Sequence, residues 1–303
     1  MKKVLNLQGG LYSVVCNHDV EFKIVPGELG SETLKKSLSM QMLIPRSEDR
    51  TKKPEPFTIV LYITGGGWKT PQVRYRVPTM VRLAERGWLV AMAEYRGSEI
   101  CNGQDAAEDV RSAVRYIRMH ASEYGGSPDK IILLGDSAGA HLSMLAGYHG
   151  EEFDSPNDNL SVSAEVSGII ELFGPTDLVR SMREFDTKEM ESHPVTESVK
   201  STFAALTKTP DLDKQAELLE PLSILSRISP EAKIPPTLIA QGTEDFIVPP
   251  WHAEELYNAL TNAGKDVEYY LLKGARHGDK RFYEDEMIDY YERFIQRCTE
   301  EKQ

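Results

Sequence analysis

The stretch Ile131-Ile132-Leu133-Leu134-Gly135-Asp136-Ser137-Ala138-Gly139-Ala140-His141-Leu142-Ser143-Met144-Leu145-Ala146 decides the fold. Its first four residues form an apolar run of strand length, and its last seven read as an amphipathic helix. Between them the pentapeptide Gly-x-Ser-x-Gly makes a turn so tight that side chains two before and two after the serine would clash with neighbouring elements. Roughly 0.1 chance matches to that pentapeptide are expected in a chain of average composition and this length. The flanking strand and helix therefore carry the assignment of Ser137, exposed at a helix N-terminus, as a nucleophile.

Outward from this turn the same alternation recurs. Upstream lie a nearly continuous apolar strand Phe57 to Ile63, a helix around Thr79 to Arg86, a strand Trp88 to Ala93 and a long helix Ala106 to Glu123. Downstream, strands are expected at Val166 to Phe173, Thr237 to Gln241 and Val267 to Leu272, with helices His252 to Ala263 and Phe282 to Gln296 after the last two. Strands covered on both faces and alternating with helices make a doubly wound parallel α/β sheet. Val20 to Val25 and Leu38 to Ile44 read as an antiparallel edge hairpin, set off by the polar stretch Ser47 to Pro54. One α/β domain, 1–303, absorbs the whole chain. Between Leu178 and Ile228 charged helical stretches and the loop signals Pro194 and Pro210 replace the strand pattern, so 178–228 is read as an insertion or lid.

Composition narrows the function classes. With 35 basic against 47 acidic residues the formal charge is −12, and no Lys/Arg cluster offsets it, so nucleic acid is not an expected partner. Three widely spaced cysteines, Cys16, Cys101 and Cys298, support neither a disulfide framework nor a zinc site. No apolar run approaches the roughly 20 residues that span a bilayer, and Asn6, Gln8 and Gly9-Gly10 interrupt any secretory core near Met1. The expectation is a soluble, cytoplasmic protein without a membrane partner; a homo-oligomer is compatible with it.

A serine hydroxyl is a weak nucleophile and needs a base, which in turn needs an orienting acid. Asp245 follows a buried strand in Gly242-Thr243-Glu244-Asp245-Phe246-Ile247-Val248-Pro249, and His277 follows the final strand in Gly274-Ala275-Arg276-His277-Gly278. Both sit at the carboxyl edge of the sheet, where open parallel sheets place their sites. Glu244 is the alternative acid, and His252 is the one histidine that rivals His277. The strand Phe57 to Ile63 ends in Thr64-Gly65-Gly66-Gly67-Trp68, whose backbone can approach a ligand closely. The N–H groups of Gly66, Gly67 and Ala138 are the expected oxyanion donors. Trp68, Phe246 and Trp251 are the expected substrate contacts near this edge.

Taken together, Gly65-Gly66-Gly67-Trp68, Tyr95-Arg96-Gly97, Gly135-Asp136-Ser137-Ala138-Gly139, Gly174-Pro175-Thr176-Asp177, Asp245 to Pro249 and His277-Gly278 resemble a serine esterase of the α/β-hydrolase superfamily, in the hormone-sensitive-lipase-like and feruloyl/acetylxylan-esterase-like group. The resemblance spans roughly Val20 to Gln296. It implies an eight-stranded, mostly parallel sheet, a Ser137-His277-Asp245 triad, no metal, no cofactor, and hydrolysis of short-chain or aryl esters such as acetyl or feruloyl groups on plant carbohydrate. Thr64 stands where the group carries a histidine ahead of its glycines, and Gln241 where a histidine is frequent. An amidase of the kynurenine-formamidase or peptidase kind shares the same triad, and a catalytically dead binding protein is the reading from outside enzymes.

Overall fold

In the computed structural model, which describes residues 12–28, 33–47, 55–148, 150–188 and 190–300, the chain opens with two antiparallel strands, β1 (Tyr12–Pro26) and β2 (Lys35–Ser47). Both outrun their expected spans. The register of β1 slips between Asn17 and Val20, where Asp19 takes φ 55°, and again between Glu21 and Lys23, so the period-two pairing with β2 is interrupted twice. The part of the expected polar connection at 48–54, and His149, lie outside the described residues.

Next come β3 (Phe57–Ile63), α1 (Val77–Ala84), β4 (Leu89–Ala93), α2 (Gly103–His120), β5 (Gly126–Asp136), α3 (Ala138–Tyr148) and β6 (Gly168–Leu172). Residues 178–228 hold α4 (Leu178–Glu184), α5 (Thr196–Thr207), α6 (Leu212–Leu219) and short 3-10 turns, and no strand among the described residues. The alternation then resumes as β7 (Thr237–Gly242), α7 (Trp251–Asn262), β8 (Val267–Leu272) and α8 (Asp285–Thr299). The helices differ at their ends from the expected spans by one to three residues, and two of them do so through 3-10 turns. After α2, residues 121–124 tighten into a 3-10 turn closed by Gly125 at φ 79°, and residues 280–283 form another such turn ahead of α8.

The eight strands of the described residues join one sheet in the order β1-β2-β4-β3-β5-β6-β7-β8. β2 pairs antiparallel with both neighbours, and every other pairing is parallel. Alternation along β3 shows how the run is buried twice: Ile59, Leu61 and Ile63 enter a core shared with α2, α3 and α7, while Val60 and Tyr62 enter a second core under α1 and α8. The helix after Ser137 departs from the amphipathic expectation. Polar His141 and Ser143 are as buried as Leu142 and Leu145, because α3 packs between the sheet and α2 with no solvent face. Among the described residues no helix is long and apolar enough to cross a membrane.

Candidate active site

The turn between β5 and α3 is built on missing side chains. A Cβ on Gly139 would lie 2.0 Å from the carbonyl oxygen of Ile63. Ser137 itself takes φ 51°, a left-handed conformation that a non-glycine residue adopts at a cost of order 1–2 kcal/mol. Its backbone N–H donates to the Leu172 carbonyl at 2.8 Å, which fixes the turn to β6 and turns the hydroxyl outward over the sheet edge.

The structure brings together three side chains that lie far apart in sequence. The Ser137 hydroxyl meets His277 Nε2 at 2.8 Å, and His277 Nδ1 meets Asp245 Oδ2 at 2.7 Å. A carboxylate only accepts, so the imidazole proton sits on Nδ1, and Nε2 presents its lone pair to the serine. Asp245 is itself held: its Oδ1 accepts the backbone N–H groups of Ile247 and Val248, both at 2.9 Å, and its carboxylate is fully buried. Phe173 packs edge-on against the imidazole at 4.9 Å. Glu244 points elsewhere, half exposed and 3.8 Å from Arg276, and His252 is buried with its Nδ1 accepting the Thr176 N–H at 3.1 Å. Neither reaches Ser137.

A carboxylate that sequence reasoning passed over organises the rest. Asp136, next to the serine, is 4% exposed and accepts from four directions. Its Oδ1 takes the Tyr62 hydroxyl at 2.8 Å and the Gly65 N–H at 2.6 Å, and its Oδ2 takes the Tyr283 hydroxyl at 3.0 Å and Arg76 Nη2 at 3.1 Å. Burial, and then the neighbouring Asp136 charge, push both phenols well above their ordinary range, so they stay protonated donors. One side chain thus pins the glycine loop to the nucleophile turn. The approach is so close that a Cβ on Gly65 would lie 2.6 Å from the Asp136 carbonyl oxygen. The hydroxyl of Tyr95 adds a bond to the Thr64 carbonyl at 3.0 Å, holding the loop where the resemblance would place a histidine.

Above Ser137 lies a cleft of about 830 Å³. Gly66, Gly67, Trp68 and Ala138 line it beside the serine, while Val195, Val199, Thr202 and Phe203 form a wall from the insertion. Gln72, Tyr75, Arg76 and Glu99 add polar groups to the lining. Of the three aromatic contacts expected, Trp68 lines the cleft, and the other two are corrected by the structure. Phe246 is 53% exposed and lies against His193 at 5.3 Å. Trp251 is sandwiched between His252 at 3.6 Å and the Arg180 guanidinium at 3.8 Å, with its indole N–H donated to Glu184. From the acid loop it is Ile247 and Val248 that reach the cleft. Among the described residues no group of three His, Cys, Asp or Glu side chains is arranged to hold a metal ion.

Glu171, inside β6, is a second buried carboxyl near this edge. It is fully buried, its Oε2 accepts the Gly174 N–H at 2.7 Å, and burial pushes it up to about 8. An unfolded glutamate titrates near 4.3. Between those values the folded chain binds the extra proton, so this group's contribution is full below about 4.3 and is lost as pH rises toward about 8. Glu171→Gln keeps an acceptor for Gly174 and cannot ionise. It should raise the thermal midpoint at pH 8 by several degrees relative to the parent and flatten the pH 5 to 8 dependence. Parallel melting slopes for the two proteins would refute this.

A family model described as BD-FAE matches residues 47–260. Esterase LipQ of Mycobacterium tuberculosis (strain ATCC 25618 / H37Rv) is 29% identical over 230 residues, covering 72% of this chain and 49% of that protein. Isoprenylcysteine alpha-carbonyl methylesterase ICME of Arabidopsis thaliana is 22% identical over 281 residues, covering 88% of this chain and 58% of that protein. The chain spans about half the length of the curated relatives it matches. Among solved structures, a truncated form of carbohydrate esterase from gut microbiota superposes with a TM-score of 0.75 at 20% identity, covering 96% of this chain and 98% of that one.

Proposed function

This chain belongs to the BD-FAE family and has the α/β-hydrolase fold, and from that premise we propose that it is a serine carboxylic ester hydrolase working through an acyl-enzyme. The observation that carries the reading is the unbroken relay from the Ser137 hydroxyl through His277 to the buried Asp245, at the floor of an open cleft. His277 Nε2 takes the hydroxyl proton as Ser137 Oγ attacks the ester carbonyl. Asp245 steadies the imidazolium, and the N–H groups of Gly66, Gly67 and Ala138 receive the oxyanion. His277 returns the proton to the departing alcohol. Water, deprotonated by the same nitrogen, then attacks the acyl-serine and releases the acid. Residues and water balance every proton and electron pair in this cycle.

The cleft supports short-chain or aryl acyl groups on a hydroxylated alcohol. Its insertion side sets apolar Val195, Val199 and Phe203 beside the hydroxyl residues Ser198 and Thr202 and takes the acyl group, with residues 178–228 serving as the lid of this site. Its lining also offers hydrogen-bonding groups from Gln72, Tyr75 and Glu99, suited to a carbohydrate-linked ester such as an acetyl or feruloyl sugar. The gut carbohydrate esterase that shares the fold points the same way. A fluorophosphonate probe should label the wild type at one equivalent and leave Ser137→Ala untouched; a folded wild type that stays unlabelled would sink the proposal. On a panel of acetyl, feruloyl, N-formyl and aminoacyl substrates, the esters should turn over fastest. Preference for the amides would replace the esterase reading with an amidase.

A further inference from the structure

His141 lies one helical turn beyond the nucleophile and its side chain bonds to no member of the relay, yet it is wholly enclosed, and each ring nitrogen is engaged by a different part of the chain. Trp68, the last residue of the glycine loop, donates its indole N–H to His141 Nδ1 at 3.1 Å, with the two rings edge-to-face at 5.4 Å. The indole is a donor only, so Nδ1 must accept, and the ring proton is forced onto Nε2. Nε2 then donates to the carbonyl oxygen of Leu222, in the turn that closes the insertion, at 2.8 Å. The backbone N–H of His141 donates to the Ser137 carbonyl at 3.1 Å. Burial pushes the imidazole down to about 4, so this donor and acceptor arrangement holds at neutral pH. Packing repeats the connection: Trp68 lies 6.1 Å from Phe203 of α5, and a Cβ on Gly67 would sit 3.0 Å from the Thr202 methyl.

We propose that His141 is a positioning residue that ties the glycine loop to the insertion, so that the wall of the cleft and the backbone donors beneath it hold one common placement. The kinetic side of this inference rests on the esterase reading; the structural side does not. A loop freed from the insertion keeps its substrate contacts but loses alignment of the Gly66 and Gly67 N–H groups, which matters most in the transition state. The signature is therefore a fall in kcat with little change in KM.

The test compares His141→Leu, which cannot accept or donate, with His141→Gln, whose amide oxygen can accept from Trp68 while its nitrogen donates to Leu222. On a nitrophenyl acetate substrate His141→Leu should lose about tenfold or more in kcat, with KM within about twofold, while fluorophosphonate labelling stays stoichiometric. His141→Gln should return to within about threefold of the parent. Amide hydrogen exchange, read by mass spectrometry, should accelerate both at 65–70 and at 220–224 in the leucine variant and stay slow in the glutamine variant. Wild-type kcat in His141→Leu, a glutamine variant as impaired as leucine, or loosening of one segment alone would overturn the proposal. Should the leucine variant not fold, Trp68→Phe decides, because it removes the indole donor and keeps an aromatic ring facing Phe203. It should lower kcat and loosen 220–224, and unchanged exchange there refutes the coupling. If the wild type neither takes the probe nor turns over any ester, the esterase reading falls, and the exchange data still decide the coupling.

Discussion

Ser137→Ala should lower kcat on a short-chain nitrophenyl ester by about 10⁵-fold or more, with the thermal midpoint shifting by no more than about 3 °C. The size follows from removing the only atom that the reading assigns to bond formation; in serine hydrolases built on this logic, losing the nucleophile costs about as much as losing the whole triad. Stability changes little because alanine and serine carry similar costs at the left-handed backbone of position 137. The lost contact is one hydrogen bond to His277, worth about 1 kcal/mol. Residual turnover of 10³-fold over water remains with the backbone donors. A variant retaining even a tenth of the parent rate would show that another group attacks the ester.

Asp136→Ala should be damaging in a different way, losing both stability and rate. The substitution removes the partner of Arg76 and leaves the hydroxyls of Tyr62 and Tyr283 and the N–H of Gly65 without their acceptor. Removing one member of a buried ion pair costs about 3–5 kcal/mol. Denaturant melts should show a drop of that order, which for a chain of this size is roughly 10 °C in midpoint. In whatever fraction folds, the glycine loop has lost its anchor to the nucleophile turn, and kcat should fall about 10²-fold while KM moves less. A variant with a wild-type melting curve would mean that the four donors find water readily and that the carboxylate is not the anchor described above.

The contrast between these two neighbours explains how far the chain could be read without its structure. Ser137 was legible because glycines on either side leave a local signature that steric necessity imposes. Asp245 and His277 were legible because each follows a strand that announces itself as an apolar run, and the β3 and β8 runs have the bounds expected of them. Asp136 sat inside the same pentapeptide yet carried no signal. Its partners come from positions 60 to 147 residues away, and nothing periodic marks a carboxylate whose role is to gather distant donors. His141 was hidden for a related reason: a polar residue on an apparently amphipathic helix reads as surface until α3 proves to have none. Phe246 and Trp251 misled through proximity in sequence. The acid loop brings Ile247 and Val248 to the cleft and leaves Phe246 exposed, while Trp251, at the start of α7, packs on His252 and Arg180.

The insertion supplies Val195, Ser198, Val199, Thr202 and Phe203 to the cleft but none of the side chains in the proton relay. The proton relay and this wall of the cleft are therefore written on separate stretches of chain. On the proposed reading, substitutions on the cleft side of α5 retune which acyl group fits without replacing any atom of the relay, except at Thr202 and Phe203, which also pack on the glycine loop.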